Sequence, residues 1–357
     1  MTGWEKTGKG KDHKLPGACS CMTLTSKNGN PYWFRTCDVE FDLRKEGSHP
    51  VQINKDRILD YEDGRKRKNK FHILGMTYQE KETWLLDGMN EEGLCGGLLM
   101  LLEARGQEVQ EGGEEEVMAM EAVCYFLSCC KNVKEVTKEA KKIRITDIFY
   151  EGSKLPATVH YYFLDQNQDE VILEPGINTE PGKLQIYEKN EGIGVMTNSP
   201  PYDLQKKNLA WFLSQSIEIQ DSGKDKRERF LDFDGRILSQ DRTAEHLSLN
   251  GSFPGSFASY DRFIRLAVLK ALNHSGRDFP DETIIPLGVG IMNTVREPLN
   301  QGIFHYSYLK PEGKEGEKMV GNKNSRTEYT IVYDIVNRRF LISWFDELNW
   351  TCYTLKQ

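Results

Sequence analysis

Two β-prone runs flank Asn28-Gly29 in CSCMTLTSKNGNPYWFRTCD, residues 19–38, and Asn-Gly between such runs is a strong hairpin signal. A two-residue turn at Asn28-Gly29 pairs Lys27 with Asn30 and, counting outward, Cys19 with Asp38. Residues 83–86 and 94–102 flank GMNEEG and predict a second strand, turn and strand. Behind the polar break EVQEGGEEE, apolar residues recur at spacings of three and four over Val117, Met120, Val123, Cys124 and Leu127. The same spacing returns over Val133, Val136, Ala140 and Ile143, so two amphipathic helices follow one another, with Glu114, Glu115 and Glu116 at the positive end of the first. Strand patterns come next at 158–164, 170–173, 184–187 and 194–196, then helical ones at 203–215 and 259–272, and strands again at 328–335 and 339–345. Strand pairs, helices and further strands predict one α+β domain, with helices on the outer faces of mostly antiparallel sheets.

Composition narrows the function classes. The 357 residues hold 47 Lys+Arg against 54 Asp+Glu, a formal net charge of −7, which argues against nucleic acid as a partner. The longest apolar run, 98–102, is far shorter than the ~20 residues of a spanning helix, so no membrane partner is expected. The opening MTGWEKTGKGKDHKLPGA has lysines but no apolar stretch, unlike a secretory signal, and a cytoplasmic location is expected. Eight cysteines are too sparse for a disulfide scaffold, and with no CxxC and no histidine at zinc spacing no metal is expected. GWEKTGKG at 3–10 ends on Gly10 where a phosphate loop needs Ser or Thr, and GVG at 288–290 lacks the third glycine of a dinucleotide site. The mixed-sign run 221–242 reads as a solvated face or loop.

What remains is the cysteine hairpin. Cys19 follows the small residues Gly17 and Ala18, and removal of residues 1–18 would make it N-terminal. One residue would then hold a thiol nucleophile and an α-amine base, with reference pKa values of about 8.5 and about 7.7 to 8.0. A guanidinium such as that of Arg35 favours thiolate over thiol, and Asp38 is placed to hold the amine. The same residues also fit a small buried thiol beside a surface ion pair.

The motifs resemble those of the choloylglycine hydrolases, comprising bile salt hydrolases and penicillin V acylases, within the N-terminal nucleophile hydrolases. In that family's opening, Arg and Asp lie sixteen and nineteen residues after the nucleophilic Cys, here Arg35 and Asp38 after Cys19, a spacing that Cys21 fails. DGMNEEGLCGG at 87–97 resembles the second signature, GVMTNSPPYD at 194–203, with Asn198, the third, and SYDRFIR at 259–265, with Arg262, the fourth. The resemblance covers nearly the whole chain from Cys19 onward.

The resemblance implies a four-layer αββα sandwich, autocatalytic loss of a leader at 1–18, a single amidohydrolase domain at 19–357, and cofactor-free hydrolysis of a small-molecule linear amide. It also implies a homotetramer. In the roles it suggests, the Cys19 thiolate attacks the carbonyl while its α-amine shuttles the proton. Asn198, with a backbone amide, stabilises the oxyanion, and Arg35 and Arg262 set the electrostatics. Arg35 and Asp38 are an odd number of positions apart, so in a regular strand they face opposite ways. Met100, ten residues after Asn90, stands where bile salt hydrolases resemble one another in having Asn and penicillin V acylases in having Tyr. Its apolar thioether predicts a substrate-binding wall that prefers apolar acyl groups, phenoxyacetyl or fatty acyl, over steroid conjugates, while strand alternation equally allows Met100 to face the core between the sheets. A different reading is an unprocessed relative that binds a ligand or protein partner without turnover, and a third is a thiol-rich structural domain.

Overall fold

The opening hairpin forms one residue out of the expected register. Strand β1 (Ala18–Thr25) pairs antiparallel with β2 (Pro31–Val39), with Thr25 opposite Pro31, Cys19 opposite Cys37 and Ala18 opposite Asp38. The connection is a three-residue loop rather than a two-residue turn. Gly29 N–H donates to Ser26 O at 2.9 Å, and Ser26 N–H donates to Asn30 O at 2.9 Å. Gly29 itself takes φ +84°, the left-handed residue that ends a type I turn in such loops. Cys19 therefore faces Cys37 across the ladder, not Asp38 as the two-residue turn predicted.

The computed structural model describes residues 18–62, 64–108, 115–150, 153–189, 191–219, 247–249, 253–298 and 326–356. The expected leader except Ala18, the run 3–10 and the charged stretch 221–242 lie outside them. The other strands of the two large sheets are β3 (Pro50–Ile53), β4 (Ile73–Tyr78), β5 (Lys81–Asn90), β6 (Cys95–Met100), β7 (Val159–Leu164), β8 (Glu170–Pro175) and β9 (Leu184–Glu188). They continue with β10 (Val195–Met196), β11 (Arg326–Asp334), β12 (Arg339–Trp344) and β13 (Thr351–Thr354). The first sheet has the order β10-β1-β2-β11-β12-β13 and the second β9-β8-β7-β6-β5-β4-β3, with neighbouring strands antiparallel in both. The turn of the second hairpin is tighter than GMNEEG suggested. Its Asn90 accepts from Leu94 N–H at 3.1 Å and donates to Leu127 O at 2.9 Å, tying the hairpin to a helix.

That helix, α1 (Ala122–Cys129), starts later than its periodicity predicted, because Val117 and Met118 pair in a short parallel bridge with Ile145 and Thr146. The remaining helices are α2 (Val133–Ala140), α3 (Tyr202–Ser216), α4 (Ser259–Leu272) and α5 (Asp281–Met292). The sequence pattern did not predict α5, which contains Pro286, Gly288 and Gly290. A side chain at Gly288 would come within 2.1 Å of the Phe34 ring, so glycine lets α5 lie directly on the sheet.

Strand alternation sorts the layers. Trp33 points between the sheets and stacks on Tyr162 with ring centroids 6.3 Å apart, while Phe34 points out toward α5. On the other side Phe126 of α1 meets Phe163 edge-on at 5.2 Å. The fold is α+β, a four-layer αββα sandwich. No helix among the described residues is long and apolar enough to cross a membrane.

Candidate active site

Ladder parity decides where the backbone of Cys19 points. Antiparallel pairs alternate between hydrogen-bonded and non-hydrogen-bonded positions. The Ser26–Asn30 bond closes the loop, so Cys19 and Cys37, seven pairs further on in unbroken register, occupy a non-hydrogen-bonded position. The Cys19 N–H and C=O consequently point away from β2. The neighbouring edge strand β10 has only two residues, and just past its end Asn198 takes the place of a ladder partner. Cys19 N–H donates to Asn198 Oδ1 at 2.8 Å, and Cys19 O accepts from Arg262 Nη1 at 2.7 Å.

The thiol points inward, between the sheets. Arg35 Nη2 lies 3.4 Å from Cys19 Sγ and 3.9 Å from Cys37 Sγ, and donates to Leu98 O at 2.9 Å. Its Nη1 donates to Leu86 O at 2.8 Å and pairs with Asp87, whose two oxygens accept from Tyr329 and Tyr333 at 2.6 Å each. Arg35 and Asp87 are both fully buried. Burial pushes the Cys19 thiol up, but a hydrogen bond from Cys37, the Arg35 charge and hydrogen bond, and the Asp38 backbone N–H outweigh it and bring it down to about 6. Burial pushes Cys21 up to about 12, and Cys37 and Cys95 rise well above the ordinary thiol range for the same reason. Cys19 is thus the buried cysteine whose surroundings favour thiolate.

Asp38 lies on the outer face, as the odd spacing from Arg35 predicted. It accepts from Thr327 Oγ1 at 2.5 Å and from Thr36 Oγ1 at 3.3 Å, and is 3.8 Å from Arg262 Nη1. Burial and the nearby Glu297 charge raise it well above the usual carboxylate range. Arg262, on the first turn of α4, is buried. Its Nε donates to Phe257 O at 2.9 Å, its Nη1 also reaches Ser20 Oγ, and its Nη2 donates to Asn198 Oδ1 at 2.8 Å.

Asn198 is held from several sides. Its N–H donates to Ser259 Oγ at 2.9 Å, its carbonyl accepts from Gln205 Nε2 at 3.1 Å, and its Nδ2 donates to Met100 O at 2.9 Å. Next to it, Thr197 O meets His160 Nε2 at 2.8 Å, and His160 Nδ1 meets Glu174 Oε1 at 3.0 Å. Met100 therefore reaches the site through its carbonyl. Asp87 and Gly97 are register partners, so Leu99 shares the inward face of Asp87, and strand alternation turns the Met100 side chain to the opposite face.

Four residues expected from the sequence, Cys19, Arg35, Asn198 and Arg262, thus form one hydrogen-bonded constellation, which Asp38 flanks through Arg262. Sequence reasoning missed Cys37, Asp87, Tyr329, Tyr333 and Glu297. Asp87 opens the DGMNEEGLCGG motif and was available as a signal, whereas Tyr329 and Tyr333 carry no local mark of their role. Among the described residues no group of His, Cys, Asp or Glu is arranged to hold a metal ion.

The family of linear amide C–N hydrolases, choloylglycine hydrolase family, matches residues 19–278, a span that begins at Cys19. The bile salt hydrolase/transferase of Lactiplantibacillus plantarum is 26% identical over 257 residues, covering 70% of this chain and 71% of that protein. The enzyme of the same description from Clostridium perfringens is 25% identical over 257 residues, 71% of each. Among solved structures, a mutant of the conjugated bile acid hydrolase from Clostridium perfringens superposes with a TM-score of 0.70 at 20% identity, over 94% of this chain and 92% of that one. Penicillin V acylase from Agrobacterium tumefaciens gives 0.64 at 19% identity, over 94% and 86%. These likenesses agree with the sandwich described above, the N-terminal nucleophile hydrolase fold. With a family match across most of its length and the same fold as these enzymes, the chain belongs to the choloylglycine hydrolases and is a linear amide C–N hydrolase.

Proposed function

We propose that Cys19, freed as the N-terminal residue by removal of residues 1–18, is the nucleophile of this amidohydrolase. The observation that carries the reading is the division of labour around one residue. The Cys19 thiol sits on Arg35 between the sheets, while its backbone nitrogen lies outside the ladder on Asn198. Cleavage would turn that nitrogen into an amine without displacing the thiol.

In the proposed cycle the thiolate attacks the amide carbon, and the Asn198 N–H not committed to Met100 stabilises the oxyanion. Removal of one such donor costs about 3 to 4 kcal/mol in other hydrolases. The Cys19 ammonium gives its proton to the leaving nitrogen, and the amine then takes a proton from the water that hydrolyses the thioester. Arg35 holds the thiolate, and Arg262 fixes Asn198 and the Cys19 carbonyl at once. The same thiol attacking the Ala18 carbonyl, followed by hydrolysis of the resulting thioester, would release the leader.

The substrate class proposed is a linear amide. The acyl preference expected from an apolar Met100 wall has no support in the strand alternation, which turns that side chain away from Arg35. Intact mass tests the reading. Active protein should lack residues 1–18, and Cys19→Ala should retain them and show no turnover. Active protein that keeps the leader would overturn the amine's role, and cleavage of Cys19→Ala would overturn self-processing.

A further inference from the structure

Cys37 is a second thiol beside Cys19 that the proposed cycle uses at most as a hydrogen-bond donor. The two are register partners at a non-hydrogen-bonded position, where Cα atoms are about 4.5 Å apart, within the range of about 4.4 to 6.8 Å that a disulfide spans. Both side chains lie on the inward face, since one Arg35 nitrogen approaches both sulfurs. Cys21, the next cysteine on that face, stands opposite Arg35 instead of a thiol.

We propose that Cys19 and Cys37 form a reversible cross-strand disulfide when the enzyme meets a hydroperoxide. This rests on the reading of Cys19, buried in the unprocessed chain, as the nucleophile that substrate reaches after processing, and that a small peroxide therefore reaches too. The Cys19 thiolate attacks the terminal peroxide oxygen and the O–O bond breaks, giving a sulfenic acid and an alkoxide or hydroxide. That base takes the Cys37 proton. The Cys37 sulfur then attacks the Cys19 sulfur, the S–O bond breaks and hydroxide leaves. The two sulfurs lose two electrons and the peroxide gains them. The environments suit these steps, because Cys19 is the thiol favoured as thiolate and Cys37 keeps its proton until a base arrives. The outcome is an enzyme switched off yet recoverable, with its nucleophile protected from irreversible sulfinate formation.

The test uses the reduced active enzyme, treated with hydrogen peroxide, alkylated and digested without reductant. The expected product is a peptide pair joining Cys19 to Cys37, lighter than its parts by two hydrogens, which dithiothreitol separates as activity returns. In Cys37→Ser the peroxide should carry Cys19 to sulfinate. The activity recovered with dithiothreitol, relative to that variant's own untreated activity, should then fall about tenfold below wild type. Cys21→Ser should retain the link. Full alkylation of Cys37 beside an oxidised Cys19, or a Cys19–Cys21 link, would overturn the proposal. Absence of amide turnover in the untreated protein would instead overturn the reading of Cys19 as nucleophile, and the peptide map would still decide the disulfide.

Discussion

The two faces of the β1–β2 ladder handle buried charge in opposite ways. On the inner face, Arg35 and Asp87 form an ion pair in which the Arg35 Nη atoms also reach Leu86 O, Leu98 O and Tyr329, and the Asp87 carboxylate accepts from Tyr329 and Tyr333. On the outer face, Asp38 has Arg262 only at 3.8 Å and shares its surroundings with a second acid, Glu297. One face stores a fixed positive charge beside a thiol, and the other favours a neutral acid beside the Ala18–Cys19 peptide. Charges three residues apart on one strand are therefore held in different surroundings, because the sheet lies between them.

The largest effect that would break this comparison is expected on the inner face. Arg35→Met leaves Asp87 buried without its ion-pair partner and should cost about 3 to 5 kcal/mol of stability in chemical denaturation. It should also move the pH midpoint of Cys19 alkylation by iodoacetamide upward from about 6, since a stabilising charge is gone. An unchanged midpoint would mean that Arg35 does not govern the thiol.

Asp38→Asn should do far less. The folded-state pKa of Asp38 is raised, so its contribution to stability is complete below the unfolded value of about 3.9 and is lost as pH rises through the folded value. An amide imitates the neutral acid. Thermal melts over roughly pH 4 to 9 should show a Tm equal to or above wild type and a flatter decline toward high pH. The Cys19 alkylation midpoint should stay near about 6, because the Asp38 contribution to the thiol comes from its backbone N–H. A Tm well below wild type would put Asp38 on the same footing as Asp87.

The smallest effect is expected at Met100. Penicillin V, glycine- and taurine-conjugated bile salts and N-acyl homoserine lactones, assayed on wild type, Met100→Tyr and Met100→Asn, should keep their order, with kcat/KM within about threefold. A reversal of order would place the side chain in the substrate site after all.

Much of the site was legible because its residues sit at fixed spacings in local motifs. Asn28-Gly29 announced a hairpin, and the family resemblance marked Arg35 and Asp38 by their offsets from Cys19. The register did not. It depends on Gly29 adopting the left-handed conformation and on Ser26 Oγ accepting from Asn30 N–H at 3.2 Å, a choice of turn type that both patterns permit. The two tyrosines were hidden for another reason, since Tyr329 meets Arg35 from 294 residues away and Tyr333 meets Asp87 from 246. Helix α5 was illegible because its proline and glycines argue against a helix locally, and its fit against Phe34 appears only in three dimensions.

Surface loops ordinarily absorb insertions and deletions at little cost, but residues 27–29 should not. Lys27 N–H donates to Phe279 O at 2.8 Å, Asp281 accepts from Asn28 and Asn30 at 2.8 and 3.0 Å, and Gln168 donates to Gly29 O at 3.0 Å, so the loop is moored to both sides of the sandwich. An added residue that shifted β2 by one step would bring Asp38 to the inner face and turn Arg35 and Cys37 outward. Length at this loop, eight residues from the thiol, is therefore as much a constraint on the chemistry as any side chain in the site.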